Sequence, residues 1–143
     1  MQAQKARLYF ELQRSADALK QAADHALIEA AGITTAQSAV IGLIIENGPL
    51  RQNQIAALLE QKEAAVTQMI AKLSARGLVA RTRSEKDARA WQVALTEDGK
   101  RAADKARQAF QEINRLLDTE FGDVALDFAR RLQGVRRALK AGS

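Results

Sequence analysis

The apolar residues of this chain recur every three or four positions along most of its length, but directly after Gly77 the period changes to two. The run from Leu78 to Arg83 alternates as a β-strand does, and the run from Ala90 to Leu95 supplies a return strand. Alanine makes up 29 of the 143 residues and proline only one, a composition that favours helix. The sequence therefore predicts a mainly α-helical protein with one small β-hairpin.

The composition excludes several kinds of functional site. Without cysteine the chain cannot form a disulfide or a thiolate metal site, and one histidine cannot build a His-rich zinc site. That histidine, His25, has no evident partner for a Ser/His/Asp arrangement, and the sequence contains no Gly-rich phosphate loop. We therefore expect a protein that is not an enzyme and that uses no metal and no cofactor.

The sequence predicts neither a membrane span nor an export signal. The longest apolar runs are only a few residues, such as 40–45, whereas a span needs roughly 18 or more. The first 14 residues, MQAQKARLYFELQR, lack the apolar core of a signal peptide. The expectation is a cytoplasmic protein that does not contact membranes.

Helical periodicity predicts four helices before the hairpin. They cover, in order, 4–30, 35–46, 52–60 and 62–76. Gly32 ends the first, and the second begins with a capping box formed by Thr34 and Gln37. An Asn-Gly-Pro turn at 47–49 precedes the third helix, and Gly77 lies where a left-handed cap ends the fourth.

The hairpin loop and the two helices that follow it are also indicated by local signals. The loop Ser84–Arg89 is hydrophilic and too long for a two-residue turn, so we expect it to project into solvent. Thr96 is placed to cap the next helix, predicted to run to about residue 119. The last helix is predicted over about 122–140.

Three short helices followed by a two-stranded hairpin is the order of a winged helix-turn-helix, whose third helix enters the DNA major groove. In the helix 62–76, apolar residues mark one face, and the opposite face is small and polar. Residues 62–91 hold seven basic side chains and three acidic ones. The residues predicted to contact double-stranded DNA are Arg51, Gln52, Ala64, Thr67, Gln68, Lys72, Arg83, Lys86 and Arg89. The alternative is that this face is only a solvated helix surface.

Five short motifs between 33 and 99 carry a family resemblance. They are Ile33-Thr34-x-x-Gln37, Val66-Thr67, Gly77-Leu78-Val79-x-Arg81, Asp87-x-Arg89 and Leu95-Thr96-x-x-Gly99. In this order and spacing they resemble the MarR family of bacterial transcription regulators. The resemblance implies a winged DNA-binding lobe at 33–99 and a helical dimerisation region made of 1–32 and 100–143. It also implies a homodimer that binds a pseudo-palindromic operator, most often as a repressor, and is released by a small aromatic or phenolic effector.

Two positions depart from the family pattern. Where relatives often have Leu-Gly and a Ser or Asp cap before the recognition helix, this chain has Leu59-Glu60 and Gln61-Lys62. Gln68 stands where relatives often have Arg, a change that shifts the expected base preference from guanine toward adenine.

Several residues admit two interpretations. Asp87 and Arg89 are either an ordinary surface pair or part of a wing in which Asp87 orients basic side chains toward DNA. Trp91 is expected to pack on the core of the lobe, with ligand stacking as the alternative. His25 is expected to be a surface or locally bonded side chain, with an effector pocket or a pH response as the alternative.

An effector site is predicted on the first helix. Tyr9, Gln13 and Arg14 are expected where the dimer helices meet the winged lobe, and Arg14 is suited to pair with an anionic ligand. Phe10, in the same turn, fits the dimer core equally well. The competing function is a winged-helix module that binds protein and has no effector. Salt separates the two functions, because only DNA binding through several phosphates weakens log-linearly as salt is added.

Overall fold

A computed structural model describes the backbone of residues 2–143 and the side chains of residues 7–143. Six α-helices and one antiparallel hairpin make up the described part of the chain, so the predicted fold class is confirmed. The helices are α1 (Gln2–Ala31), α2 (Thr35–Asn47), α3 (Gln52–Leu59), α4 (Glu63–Ala75), α5 (Glu97–Phe121) and α6 (Ala125–Ala141), and the strands are β1 (Val79–Arg83) and β2 (Trp91–Leu95). Met1 lies outside the described residues. It belongs to the predicted dimerisation region and to the N-terminal stretch that was predicted not to be a signal peptide.

Most helix boundaries differ from the sequence prediction by one or two residues, and the start of the last helix differs by three. A 3₁₀ turn, Gly122–Val124, follows α5, so the last helix begins at Ala125 and not near 122. Gly122 has a φ of 50°, a left-handed conformation that breaks the helical path at low cost only for glycine.

Among the described helices, no single one is long and apolar enough to cross a membrane. The part of α1 from Arg7 onward and α2 reach the required length and apolar composition only when they are taken together, and a bend of 67° separates them.

The junction between α1 and α2 is held by side chains that satisfy free backbone groups. Gly32 turns the chain with a φ of 68°. Thr34 Oγ1 then accepts from Gln37 N at 3.2 Å and Gln37 Oε1 accepts from Thr34 N at 3.0 Å, which confirms the predicted capping box. Asp24, on α1, also accepts from Thr35 N at 2.7 Å. Together these bonds fix the angle at which α2 leaves α1.

The hairpin pairs Val79 with Leu95 at its base and Arg83 with Trp91 at its tip. A third segment joins it, because Leu50 and Val93 exchange backbone hydrogen bonds of 3.1 and 2.7 Å. This bridge ties the start of α3 to the hairpin.

The hydrophobic core lies entirely in the part of the chain before residue 110. Contacts divide the chain into two units, Met1–Phe110 and Gln111–Ser143. Fully buried aliphatic side chains from α1 to α4 form the centre of the first unit; they include Leu27, Ile33, Val40, Ile41, Ile55, Val66 and Leu73. No residue of the second unit is buried, although Phe121 and Phe128 stack with ring centroids 4.8 Å apart.

Gly99 explains physically why the Leu-Thr-x-x-Gly motif follows the hairpin. Thr96 N donates to Leu78 O at 3.1 Å, and Thr96 Oγ1 donates to Gly77 O at 2.6 Å while it accepts from Gly99 N at 3.0 Å. A Cβ at Gly99 would lie 2.0 Å from Leu78 O. Only glycine at this position lets the first turn of α5 lie this close to the backbone of Leu78, in the turn between α4 and β1.

Candidate nucleic-acid interface

Helix α4 has the two faces that its sequence predicts. Val66, Ile70 and Leu73 are buried in the lobe. The opposite face is exposed and consists of Ala64, Thr67, Gln68, Ala71, Lys72 and Ala75. The Gln68 amide has no hydrogen-bond partner among the described residues, so both its donor and its acceptor remain available to a ligand.

The turn before α4 is where the chain departs from the family pattern. Glu60 ends α3 in the left-handed conformation, with a φ of 55°, at the position where relatives often have glycine. Lys62 is the N-cap of α4 and its side chain makes no capping hydrogen bond. The backbone still closes the turn, because Gln61 N donates to Ala56 O at 3.0 Å. The helix start is thus fixed without the usual residues.

A polar network joins the start of α3 to α4 and β1. Gln52 Nε2 donates to Thr67 Oγ1 at 2.7 Å, and Gln52 Oε1 accepts from Arg81 Nη2 at 3.1 Å. The Thr67 hydroxyl in turn donates to Glu63 O at 2.8 Å. A hydrogen bond from Thr67 to a DNA phosphate, as predicted, therefore requires the hydroxyl to rotate away from Glu63. Arg81 was not among the predicted site residues, because its partner lies 29 residues away in the sequence.

Two surface grooves border this network. One of about 350 Å³ lies between the start of α3 and the hairpin, and its lining includes Arg51, Gln52, Asn53, Arg81 and Trp91. The other, of about 420 Å³, lies between α4 and β1, and its lining includes Thr67, Ala71, Ala75 and Ala80. Predicted DNA-contacting residues therefore line both grooves.

The structure corrects the prediction for Trp91. Its side chain is 49% exposed instead of packed on the core, and the Arg83 guanidinium lies 4.3 Å above the ring centroid. Arg83 also donates to the carbonyl of Ala88 across the loop. The ring and this carbonyl together hold the Arg83 side chain next to the loop of the wing, which comprises β1, β2 and Ser84–Arg89.

Short side chains shape the backbone at the tip of the wing. Ser84 Oγ accepts from Lys86 N at 3.2 Å, and Asp87 Oδ1 accepts from Arg89 N at 3.0 Å. Asp87 makes no ion pair with a basic side chain in the described wing, so it acts on the loop backbone rather than on the cations directly. The side chains of Lys86 and Arg89 are exposed.

The cations of the lobe differ from those of the long helices in their pairing. Among residues 7–143, whose side chains are described, seven ion pairs lie on α1, α5 and α6, for example Arg107 with Asp104 at 2.7 Å. Within the described structure no ion pair involves the predicted DNA-contacting cations, Arg51, Lys72, Arg83, Lys86 and Arg89. Their positive charge is therefore not neutralised by any described carboxylate in an ion pair, which favours a polyanionic partner.

Arg76, which is not among the predicted site residues, links α4 to α1. Its guanidinium donates to Ala31 O at 3.3 Å and to Gly32 O. Arginine near free carbonyls at a helix C-terminus also complements the helix dipole. The end of α4 is thereby fastened to the end of α1.

The residues predicted for an effector site lie on an open helix surface. Tyr9, Gln13 and Arg14 are exposed on α1 and line neither of the two grooves. Tyr9 contacts Phe10 edge to face, with centroids 5.3 Å apart. His25 Nε2 lies 3.3 Å from Glu29 Oε1 on the exposed side of the same helix, as expected for a locally bonded histidine.

Comparison with known sequences identifies relatives of the lobe. Residues 31–90 match the sequence profile of the MarR family. The HTH-type transcriptional repressor MdtR of Bacillus subtilis (strain 168) is 35% identical over 95 residues, which are 64% of this chain and 61% of the repressor. The matched stretch thus spans less than two thirds of that repressor's length.

Solved structures extend the similarity to nearly the whole chain. The S. aureus MepR–DNA complex superposes with a TM-score of 0.77 and 20% identity, over 94% of this chain and 96% of that one. CouR from Rhodococcus jostii RHA1, bound to p-coumaroyl-CoA, gives a TM-score of 0.75 and 22% identity, over 92% and 90%. At these identities the superpositions establish the fold.

Proposed function

The chain belongs to the MarR family, and from this membership we propose that it is a dimeric DNA-binding regulator of transcription that responds to a small ligand. The observation that carries the proposal is the outer face of α4. That face is exposed, bears only small or polar side chains and adjoins cations that form no ion pair among the described residues. In this role the protein acts in the cytoplasm, where bacterial DNA lies.

In the proposed complex, α4 enters the major groove and the wing approaches the flanking backbone. Gln68 reads a base, because a free amide matches the donor and acceptor edge of adenine. Ala64 and Ala71 allow close approach and contact thymine methyl groups. Lys72, Lys86 and Arg89 are placed to bind phosphates, which positions the lobe without reading sequence.

Three of the predicted contacts take more specific roles in this proposal. Gln52 and Thr67 hold each other through their 2.7 Å hydrogen bond, so they position α4 as well as contact DNA. Arg51 borders the groove beside them. Arg83 binds DNA from the fixed place that Trp91 gives it.

We propose that two copies read two half-sites of a pseudo-palindromic operator. The lobe is assigned to 33–99, and 1–32 with 100–143 are assigned to dimerisation. Exposed apolar side chains favour this assignment, since Leu116, Val135 and Leu139 are each more than half exposed. A soluble protein rarely leaves such a stripe uncovered.

Repression and ligand release are the finer parts of the proposal. The relative MdtR is described as a repressor, and CouR binds p-coumaroyl-CoA. An aromatic or phenolic effector that contacts Tyr9, Gln13 and Arg14 acts only if it binds the DNA-incompetent form more tightly. DNA and effector must then weaken each other's binding by the same factor.

The test uses DNA from upstream of the protein's own gene and an unrelated duplex, titrated over a range of salt. The regulator is expected to bind the upstream DNA more tightly and to lose affinity log-linearly with salt. Lys86→Ala should weaken both duplexes alike and lower the salt slope by about 1, whereas Arg107→Ala on α5 is the control and should change neither. Equal, salt-independent binding to both duplexes would favour the protein-interaction module instead.

A further inference from the structure

The hydrogen bonds of the polar network between β1, α3 and α4 all point the same way. Arg81 Nη2 donates to Gln52 Oε1, and Gln52 Nε2 donates to Thr67 Oγ1. The Thr67 hydroxyl donates in turn to the backbone carbonyl of Glu63, in the first turn of α4. The network therefore starts at a strand of the hairpin and ends on α4.

Arg81 sets the direction of the whole network. A guanidinium can only donate, so Gln52 must turn its carbonyl oxygen toward Arg81. The amide nitrogen of Gln52 then faces Thr67, which keeps its hydroxyl proton for the Glu63 carbonyl. Glu63 borders the same groove as Arg81, but Arg81 forms no ion pair within the described residues. Gln52 is thus the polar group on which Arg81 acts.

The hairpin end of the network is fixed by backbone hydrogen bonds. Arg81 lies opposite Val93 in the hairpin, and Val93 is buried. Val93 also exchanges backbone hydrogen bonds of 3.1 and 2.7 Å with Leu50, two residues before Gln52. Arg81 and the start of α3 are therefore held to the same buried strand residue. This end of the network is an anchor.

The α4 end lacks the usual side-chain cap. Lys62, the N-cap of α4, makes no capping hydrogen bond with its side chain. The buried face of the helix, with Val66 and Ile70, packs through apolar contacts, which have no directional preference. Hydrogen bonds are directional, and Thr67 accepts one from Gln52 at the side of the first turns. This bond therefore opposes rotation of α4 about its own axis.

We propose that Arg81 is a positioning residue for base recognition, which acts through Gln52 and Thr67 to set the base edge that Gln68 meets. This inference rests on the proposed function, in which Gln68 reads a base. Gln68 follows Thr67 directly in the sequence, so a rotation that displaces Thr67 displaces Gln68 as well. A binding side chain must be held to within about 0.5 Å and roughly 10–20° of its productive geometry. A phosphate contact by Gln52 or Thr67 is a separate effect, because phosphate contacts carry no sequence information.

The test measures base discrimination by the full chain, in competition binding between the preferred duplex and its single-base variants. Gln52→Met keeps the length of the side chain, removes both of its hydrogen bonds and leaves the net charge unchanged. Arg81→Met removes the anchor, and each change is made alone and together with Gln68→Ala. Asn53→Ala is the matched control, because Asn53 adjoins Gln52, borders the same groove and makes no hydrogen bond in the described structure. Circular dichroism checks that each variant retains its helix content.

The two methionine variants should each reduce discrimination about two- to tenfold, at the same base pairs as Gln68→Ala. Added to Gln68→Ala, either change should cause no further loss at those base pairs, because the network acts there through Gln68. Arg81→Met should also weaken binding to all duplexes alike, since it removes a cation near the DNA. Asn53→Ala should keep the native discrimination.

The other outcomes separate the inference from the proposed function. If both methionine variants keep the native discrimination, or lose it at base pairs that Gln68→Ala does not affect, the inference is wrong and the proposed function stands. Losses that add to that of Gln68→Ala also refute the inference, because Gln52 then reads DNA independently. If the native chain prefers no duplex, the proposed function fails and the inference fails with it.

Discussion

The winged lobe and the second unit, Gln111–Ser143, are built from similar lengths of amphipathic helix but differ in whether their apolar side chains are buried. The apolar side chains of the lobe form a common core with those of α1, whereas no residue after 110 is buried. The fold of the lobe is therefore stabilised by a hydrophobic core that forms within one chain. The second unit has its helices fixed by their own backbone bonds, and its apolar stripe is available for a partner.

The two units also differ in where charge is paired. The predicted DNA-contacting cations have no ion-pair partner in the described lobe, while on α5 and α6 Arg107, Arg115 and Arg131 each pair with a carboxylate three or four residues away. Unpaired charge marks the surface of the lobe, for which we propose DNA as the partner. The predictions below test this contrast.

The largest expected effect comes from Gly99→Ala. The added Cβ would lie 2.0 Å from the carbonyl oxygen of Leu78, and a backbone oxygen cannot move aside as a side chain can. We expect the free energy of unfolding of the lobe to fall by about 3 kcal/mol or more. Urea denaturation followed by Trp91 fluorescence measures it.

The matched control is Gly134→Ala on α6, where the nearest atom to the new Cβ is 3.8 Å away. That change should stabilise the helix by up to about 1 kcal/mol, because alanine is the better helix former. Similar losses at both glycines would contradict the contrast between a closed lobe and an open second unit.

The next effect concerns recognition at the lobe. Gln68→Ala should reduce discrimination at particular base pairs by about 1–3 kcal/mol, with little change in the free energy of unfolding, because the side chain is exposed. Competition binding with single-base variants of the preferred duplex measures the loss. An unchanged base preference would show that α4 does not read the sequence.

A smaller effect is expected at the junction of α1 and α2. The Thr35 N–H bonded to Asp24 lowers the pKa of that carboxyl below its usual 3.8, and Lys20 at 3.4 Å adds to this. Because the folded pKa is lowered, this stabilisation is present above pH 3.8 and is lost as the pH falls through the lowered value. Asp24→Ala should cost about 1 kcal/mol at neutral pH, whereas the exposed Asp17→Ala on the same helix should cost little.

For Asp24 the comparison is made by chemical denaturation as a function of pH. The difference between the native chain and Asp24→Ala should shrink under acidic conditions. A difference that stays constant at pH values well below 3.8 would mean that the ionised carboxylate does not cap α2.

The smallest effect is expected at Glu60, whose φ of 55° is unfavourable for a residue with a side chain. Glu60→Gly should stabilise the lobe by about 0.5 kcal/mol, since relief of the left-handed conformation exceeds the added chain entropy of glycine. Glu60→Ala removes the same side-chain contacts without that relief and should be less stable than Glu60→Gly. Thermal denaturation of the two variants should therefore rank glycine above alanine.

Local signals predicted most of the fold. The capping box at Thr34, the left-handed cap at Gly77 and the cap at Thr96 each depend on residues within a few positions of one another, so the sequence displays them directly. The two faces of α4 follow from helical periodicity alone. The choice of DNA-contacting residues is a prediction that rests on those faces and stays a prediction.

Contacts between distant parts of the chain were not predicted. Arg76 binds carbonyls 44 and 45 residues away, and Arg81 reaches Gln52 across 29 residues. The hydrophobic periodicity of the sequence does not indicate hydrogen-bond partners that are this far apart along the chain. The expectation for Trp91 was wrong for the same reason, because the neighbouring strand places Arg83 over its ring and makes an exposed position favourable.

The most direct test of the account is selection of bound duplexes from a library with a random central region, using the full native chain. A dimer that presents two copies of α4 should enrich an inverted repeat whose half-sites lie about one helical turn, roughly 34 Å, apart. Enrichment of that repeat, lost in a library bound by Gln68→Ala, is the result that the account predicts. Recovery of sequences no different from the starting library would contradict it.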